Sequence, residues 1–116
     1  MKPIEIVSYI KTPENNPERV TCQTNVRAID HKVGGPFHSI KIKLSTGKNV
    51  VLFYDQNGIQ RGRSYNFTIC PTTDRRTWID LYGPVLVEGF DQDDRLIDIE
   101  LTPEESKELF KVPYDV

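Results

Sequence analysis

The sequence predicts a single, mainly β domain that ends in a short α-helix. Apolar and polar residues alternate through much of the chain, turn-forming residues separate the alternating runs, and one helix-capping pattern lies near the end. At 116 residues the chain can bury a core without disulfides or metals. We expect one domain over residues 1–116, with a β core in 19–90 and an acidic segment in 91–116 that holds a strand and a helix.

The first half of the chain predicts two strands and a hairpin. A loose apolar cluster marks a strand over 4–10, and strict alternation marks a long, half-buried strand over 20–28, ended by the loop HKVGGP at 31–36. Alternation over 37–44, a tight turn at Ser45–Lys48 and the return run 49–55 predict the hairpin. The return run is apolar on both faces, so we expect both faces to be covered or one of them to bind something.

Shorter strands are predicted in the second half. They share alternating apolar residues and are separated by glycine, proline or polar loops: 65–69, 78–82, 85–87 and 96–101. The side chains expected to face the core are Tyr65, Phe67, Ile69, Ile97, Ile99 and Leu101.

A helix is predicted from residue 103 to about Lys111. Thr102 is a candidate N-cap, Pro103 suits the first helical position, and Glu105 completes a capping box. Pro113 ends the helix.

Charge is sorted along the chain. Residues 20–80 hold nine basic and four acidic side chains, a net of +5, whereas residues 81–116 hold three basic and ten acidic ones, a net of −7. Two interpretations stay open. The basic part offers a surface for a polyanion, and the acidic part competes for it or recruits a partner. Alternatively, the charges of an ordinary soluble protein fall this way.

Motifs for catalysis, metals and membranes are missing from the sequence. Cys22 and Cys70 have no zinc-ligand spacing with His31 or His38, so we expect buried free thiols, no metal and no cofactor. No phosphate-binding loop, GxSxG or HExxH pattern occurs, so no enzyme activity is expected. Because neither a signal peptide nor a membrane span is evident, we expect a cytoplasmic protein.

The phrase LFYDQNGIQRGRSYNFTI at 52–69 places Gly62 before the alternating aromatic residues Tyr65 and Phe67. With the order of predicted strands over 19–90, it resembles OB-fold proteins, and within them the small single-stranded-DNA-binding proteins of bacteria and phages. The resemblance implies an OB-like Greek-key β-barrel, a viral or prophage setting and a part in DNA replication. The chain departs from that pattern in two ways. The connector at 56–63, between the strands that resemble the third and fourth strands of an OB-fold, is too short for the helix that many OB-folds place there. The acidic stretch at 88–108 is interrupted by strand and helix patterns and is not a free tail.

Single-strand binders need cations along the backbone path and aromatic faces for stacking. The candidate nucleic-acid-binding residues are Phe37, Lys41, Lys43, Lys48, Tyr54, Arg61, Arg63, Arg75, Arg76 and Trp78. By the resemblance, Lys41, Lys43 and Tyr54 share the binding face, with Lys48 at its turn. The adjacent pair Arg75 and Arg76 beside Trp78 is the sharpest cluster.

Each of these candidates has a structural alternative. Lys41 and Lys43 also suit a solvated edge strand, Trp78 suits a core, and Phe37 suits the end of a barrel. Tyr54 points outward in only one of two registers, and Arg61 and Arg63 also suit a solvated hairpin.

The expected function is therefore non-sequence-specific binding of single-stranded DNA, with RNA left open. Further candidate partners are a second copy of the chain and replication or recombination proteins, but no membrane. The alternative is a non-enzymatic protein–protein interaction module, or a subunit of a larger viral or secretion assembly. In that case the charge asymmetry favours self-association.

Overall fold

The computed structural model describes residues 4–69 and 78–110, and these residues are mainly β. The elements in chain order are β1 (Glu5–Lys11), β2 (Glu18–Gln23), α1 (Val26–Val33), β3 (Phe37–Lys43), β4 (Asn49–Asp55), β5 (Tyr65–Ile69), β6 (Ile79–Tyr82), β7 (Val85–Phe90), β8 (Leu96–Ile97) and α2 (Pro103–Leu109).

One antiparallel sheet dominates the fold. Its strands follow the order β2-β1-β7-β4-β3, with β8 paired to one end of β7. Strands β5 and β6 pair with each other in a separate two-stranded sheet. Within residues 4–69 and 78–110 the two end strands, β2 and β3, do not pair with one another. The barrel closure expected from the sequence is therefore not observed in this part of the chain.

Both faces of the main sheet are covered, as the two-sided apolar pattern of β4 allows. Val51 and Phe53 face a cluster that includes Ile29 of α1, and we call this face the helix side. Val50 and Leu52 face a second cluster built with β5, β6 and α2, and we call this face the hairpin side. Alternate side chains of β4 thus contribute to two separate hydrophobic clusters, one on each face of the sheet.

The prediction of one long strand over 20–28 is wrong for the second half of that range. Strand β2 ends at Gln23, and α1 occupies the end of the predicted strand and the start of the predicted loop at 31–36. The connection between β2 and β3 is therefore a helix that crosses the helix side of the sheet, from one edge strand to the other.

Local capping and apolar spacing explain why this segment is helical. The Asn25 side chain caps the helix by accepting a hydrogen bond from the Ala28 N–H at 2.8 Å. Ile29 and Val33, four residues apart, are both buried against the sheet. Gly34 ends the helix with φ +90°, a left-handed conformation that glycine adopts without steric cost.

Strand β5 meets its prediction for Phe67 and Ile69, which are buried. The prediction that Tyr65 faces the core is wrong, because 42% of this residue is exposed. The pairing of β5 with β6 shifts register between Tyr65 and Phe67. Such an irregularity breaks the strict alternation of faces on which the prediction relied.

The last predicted strand, 96–101, is shorter than expected. Only Leu96 and Ile97 pair with β7, and Ile97 is 41% exposed, so its predicted inward orientation is wrong. Ile99 is buried as predicted, and Leu101 is half-buried against the hairpin-side cluster.

Helix α2 begins as predicted. The Thr102 side chain accepts from the Glu105 N–H at 3.1 Å, and Glu105 accepts from the Thr102 N–H at 2.9 Å, which completes the capping box. Pro103 opens the helix, and the predicted end near Lys111 lies outside the described residues.

Cys22 is a buried free thiol, as predicted, whereas Cys70 lies outside the described residues. Neither helix of the described chain has the length and apolar character needed to cross a bilayer.

Candidate nucleic-acid interface

Two predicted lysines lie on the helix side of the sheet. The Lys41 Nζ sits 5.1 Å from the centroid of the Phe90 ring, and Phe90 packs against the helix-side cluster. Lys43 is two residues further along β3 and therefore shares this side. Lys41 also forms an exposed ion pair with Asp94 at 2.8 Å. Pairs of this kind are worth at most about 1 kcal/mol, so a phosphate can replace Asp94.

Two predicted arginines meet at the C-terminal end of α1. Arg61 and Arg63 each donate a hydrogen bond to the Gly34 carbonyl, at 3.2 Å and 3.0 Å. That carbonyl belongs to the negative end of the helix dipole, where cations are stabilised. The end of α1 therefore fixes both guanidinium groups on the helix side of the sheet.

A buried carboxylate, Asp55, stands behind the two arginines. Its Oδ2 lies 3.6 Å from Arg61 Nε and 3.5 Å from Arg63 Nε, and its side chain is fully buried. Its Oδ1 accepts from the Asn57 N–H at 2.9 Å. Oδ2 and Arg63 Nε make no hydrogen bond within the described residues, because the ion-pair distances are too long for one.

The arginine side chains remain accessible to solvent. Arg61 is 41% exposed and Arg63 is 35% exposed, and together they bring two positive charges to the single negative charge of Asp55. The cluster therefore carries a net positive charge at the surface, in addition to its structural role. Such a site suits an anion approaching from outside.

The two arginines pack on a glycine backbone. A Cβ placed on Gly34 would lie 2.5 Å from Arg63 Nη2, and one on Gly35 would lie 2.9 Å from Arg61 Nη1. The paired glycines in the HKVGGP segment thus let guanidinium groups approach the main chain closely.

Replacing Gly34 with alanine is expected to destabilise the protein more than replacing Gly47 with alanine. Both glycines have left-handed backbone angles, which cost an alanine about 1–2 kcal/mol. Gly47 has no atom within 4 Å of its Cβ position, whereas alanine at 34 must also displace Arg63. Urea denaturation of the two variants measures the difference. Equal losses of unfolding free energy in the two variants would show that the contact between position 34 and Arg63 does not affect stability.

The structure does not place the predicted binding aromatics beside the lysines. Tyr54 packs against the hairpin-side cluster and meets His38 edge to face, with ring centroids 5.9 Å apart, so it lies on the opposite side from Lys41. Burial raises the pKa of the Tyr54 hydroxyl. Phe37 is on the helix side but packs edge to face on Phe53 at 5.1 Å. Neither ring offers a free stacking face next to the cations.

Lys48 holds α2 in place. Its Nζ lies 2.7 Å from Glu105 Oε1 and also donates to the Glu100 carbonyl. Hydrogen bonds from Lys48, the Thr102 backbone and the Thr46 hydroxyl lower the pKa of the buried Glu105 to about 2. Lys48 therefore stabilises the start of α2 and does not share a binding surface with Lys41.

Trp78 is 49% exposed, immediately before β6. Arg75 and Arg76, the sharpest sequence cluster, lie outside the described residues, so the contacts predicted between them and Trp78 stay a prediction.

Sequence reasoning missed the basic residues of α1. Arg27 and Lys32 lie on this helix beside His31 and add positive charge to the helix side. Two features of the sequence could have predicted this helix: Asn25 as its N-cap, and the four-residue spacing of the apolar residues Ile29 and Val33.

A second polar cluster lies buried between α1 and the sheet. Glu88 on β7 is fully buried, and its Oε2 accepts from the Ser8 hydroxyl at 2.7 Å, while Oε1 has no partner among the described residues. Burial raises the pKa of the Glu88 carboxyl. Burial, followed by the nearby charge of Glu88, raises the pKa of the Cys22 thiol to about 11. A thiol with this pKa is not a nucleophile at neutral pH.

In the part of the chain that the structure describes, no group of three or more His, Cys, Asp or Glu side chains is arranged to hold a metal ion. No protein-family model, curated protein or solved structure matches the chain.

Proposed function

We propose that the protein binds single-stranded nucleic acid without sequence preference, through the helix side of its main sheet. The basic surface that we assign to this function consists of Lys41, Lys43, Arg61 and Arg63. The observation that carries the proposal is that these four side chains, which come from two separate segments, lie on one side of the sheet, with Asp55 buried behind the two arginines.

The spacing of the cations suits an extended phosphate backbone. Strand β3 starts at Phe37, close to the Gly34 carbonyl that accepts hydrogen bonds from both arginines, and extends away from it. At roughly 3.4 Å per residue, Lys41 and Lys43 lie about 14 and 20 Å along the strand from its first residue. A flexible single strand can follow such a line, and each phosphate that it neutralises releases counterions.

Electrostatics, more than stacking, would supply the affinity. The aromatic rings nearest to the basic surface are engaged in the core or covered by Lys41. Four phosphate contacts on a single strand give a slope of about −3 for the logarithm of the binding constant against the logarithm of salt concentration. The OB-like barrel itself remains a prediction, and the proposal does not depend on barrel closure.

The test is fluorescence anisotropy of labelled oligo-dT at several salt concentrations. The double variant Lys41→Gln and Lys43→Gln is expected to bind more weakly and to flatten the salt slope by about 1.4, because two phosphate contacts are lost. Lys41 contacts the half-buried Phe90 ring and the exposed Asp94, and Lys43 is exposed, so the variant should fold like the wild type.

Lys107→Gln provides the matched control. This exposed lysine lies on α2, beyond the hairpin side, and its loss should leave binding almost unchanged. An Arg75→Gln, Arg76→Gln variant separately tests the cluster predicted from the sequence. Absence of oligo-dT binding by the wild type at low salt would overturn the proposed function. Equal binding by the wild type and the lysine double variant would overturn the assigned surface.

A protein–protein interaction module is the second candidate function. The observation that favours it is the pair of open edges: within the described residues, β2 pairs only with β1, and β3 pairs only with β4. Open edge strands are templates for the addition of another strand.

A further inference from the structure

A groove runs between the edge strand β2 and helix α1. It has a volume of about 490 Å³, within the range of ligand sites. Thr21, Cys22 and Gln23 line it from β2, and Ala28, His31 and Lys32 line it from α1. Because three consecutive residues of β2 take part, the groove follows the edge of the strand itself.

The pairing of β2 with β1 shows which backbone groups face away from the sheet. Thr24 N–H donates to the Ile4 carbonyl, and Ile6 lies opposite Cys22. In an antiparallel pair, directly opposed residues alternate between bonding each other and turning their amide groups outward. Cys22 therefore bonds to β1, whereas Thr21 and Gln23 turn their N–H and C=O groups outward.

Contacts on the far edge of β1 confirm this alternation. Val7 lies opposite Thr21 in the register, and its amide groups should also turn away from the β1–β2 pair. They do so, because Val7 N–H donates to Asp98 Oδ1 at 2.8 Å and the Val7 carbonyl accepts from Ile99 N–H at 3.1 Å. On β2 the corresponding groups of Thr21 face the groove, where the described residues leave them without a strand partner.

The wall of the groove selects the charge of an occupant. The cations Arg27 and Lys32 come from α1, as does His31, and Glu5 is the single acidic residue of the lining among residues 4–69 and 78–110. Neither Arg27 nor Lys32 forms an ion pair with any residue in 4–69 or 78–110. Cys22 and Ala28 give the groove a small apolar floor between these charges.

We propose that this groove binds an extended acidic peptide segment of a partner protein, which adds to β2 as a further strand. Main-chain hydrogen bonds to Thr21 and Gln23 would provide affinity, and carboxylates at alternate positions would reach the cations of α1. An edge strand offers alternating donors and acceptors, which a peptide backbone satisfies and a phosphodiester backbone does not. The inference rests on the second candidate function and is independent of nucleic-acid binding.

The experiment is a titration of the full ¹⁵N-labelled protein, followed by two-dimensional NMR. The probe is a capped heptapeptide of alternating threonine and glutamate, and the control is the same peptide with lysine in place of glutamate. We expect the amide signals of Thr21 and Gln23 to shift, and the acidic peptide to bind at least tenfold more tightly. No shift in β2 at millimolar peptide, or a shift confined to β3, would overturn the proposal.

Two variants test the main-chain bonds. Thr21→Pro removes an outward N–H without removing a bond to β1, and proline is tolerated at such edge positions, so peptide affinity should fall at least tenfold. Thr21→Val retains the N–H and should bind like the wild type. Equal affinity of the two variants would overturn strand addition.

N-methylated peptides give the same test without changing the protein. Methylation of the amides that face β2 should abolish binding, whereas methylation of the alternate amides should not. Equal effects of the two patterns would contradict the proposed pairing. Thr21→Pro should retain oligo-dT binding, and the lysine double variant should retain peptide binding, so failure of either proposal is seen separately.

Discussion

Replacing Glu88 with glutamine is expected to raise the free energy of unfolding at pH 8 and to leave it nearly unchanged at pH 4. Glu88 is fully buried, and one carboxylate oxygen has no partner in the described residues. A buried polar group without a hydrogen-bond partner costs about 1–3 kcal/mol, and more when it is charged. Glutamine keeps the acceptor for Ser8 and removes the charge.

The direction of the pH dependence follows from the raised pKa of Glu88. Between the unfolded pKa of about 4.3 and the higher folded pKa, the folded state binds more protons than the unfolded state. The contribution of Glu88 to the stability of the wild type is therefore full below about pH 4.3 and is lost as the pH rises through the folded pKa. The glutamine variant lacks this fall.

Urea denaturation from pH 4 to pH 9 measures the effect. Glu18→Gln, at the exposed start of β2, removes the same charge without burial and should follow the wild-type pH profile. If the Glu88→Gln profile also runs parallel to the wild-type profile, the carboxylate is not a source of the pH dependence.

Replacing Phe67 with alanine is expected to cost about 3–5 kcal/mol of unfolding free energy. Phe67 is almost fully buried on β5 and meets Phe110 edge to face, with centroids 5.2 Å apart. It fastens the β5–β6 hairpin to the main sheet and to α2. Since an isolated two-stranded hairpin is marginal in water, this layer depends on such contacts.

Thermal and urea denaturation give the size of the loss, and hydrogen exchange locates it. The amides of β5 and β6 should lose protection before those of β4 and β7. Tyr65→Ala, on the same strand but 42% exposed, should cost about 1 kcal/mol. Similar losses in the two variants would mean that the hairpin is not anchored through Phe67.

Local signals account for the parts of the fold that the sequence predicts correctly. The capping box of Thr102 and Glu105 involves residues three positions apart, so its chemistry is readable without tertiary structure. The β3–β4 hairpin likewise joins neighbouring segments through a tight turn.

Helix α1 was missed because two periodicities overlap in one segment. Val20, Cys22, Thr24 and Val26 alternate as in a strand, and Ile29 and Val33 repeat as in a helix. The sheet decides between them, since burial of Ile29 and Val33 on the helix side requires strands from distant parts of the chain.

The candidate site was only partly predictable for the same reason. Lys48 meets Glu105, 57 residues away, and Lys41 meets Asp94, 53 residues away. Sequence shows that these side chains are charged, but their partners are set by the order of strands in the sheet. The opposite placement of Lys41 and Tyr54 also depends on the register of β3 and β4.

The central position of β7 determines when the fold can form during synthesis. Tyr9 of β1 lies opposite Val87 of β7. Almost eighty further residues must therefore be synthesised before β1 can pair with its second neighbouring strand. At about 5–20 residues per second, this interval lasts roughly 4–16 s on the ribosome. During that time the β1–β2 hairpin has α1 to pack against but not β7, and a two-stranded hairpin is marginal in water. The main sheet is therefore assembled only after β7 has been synthesised.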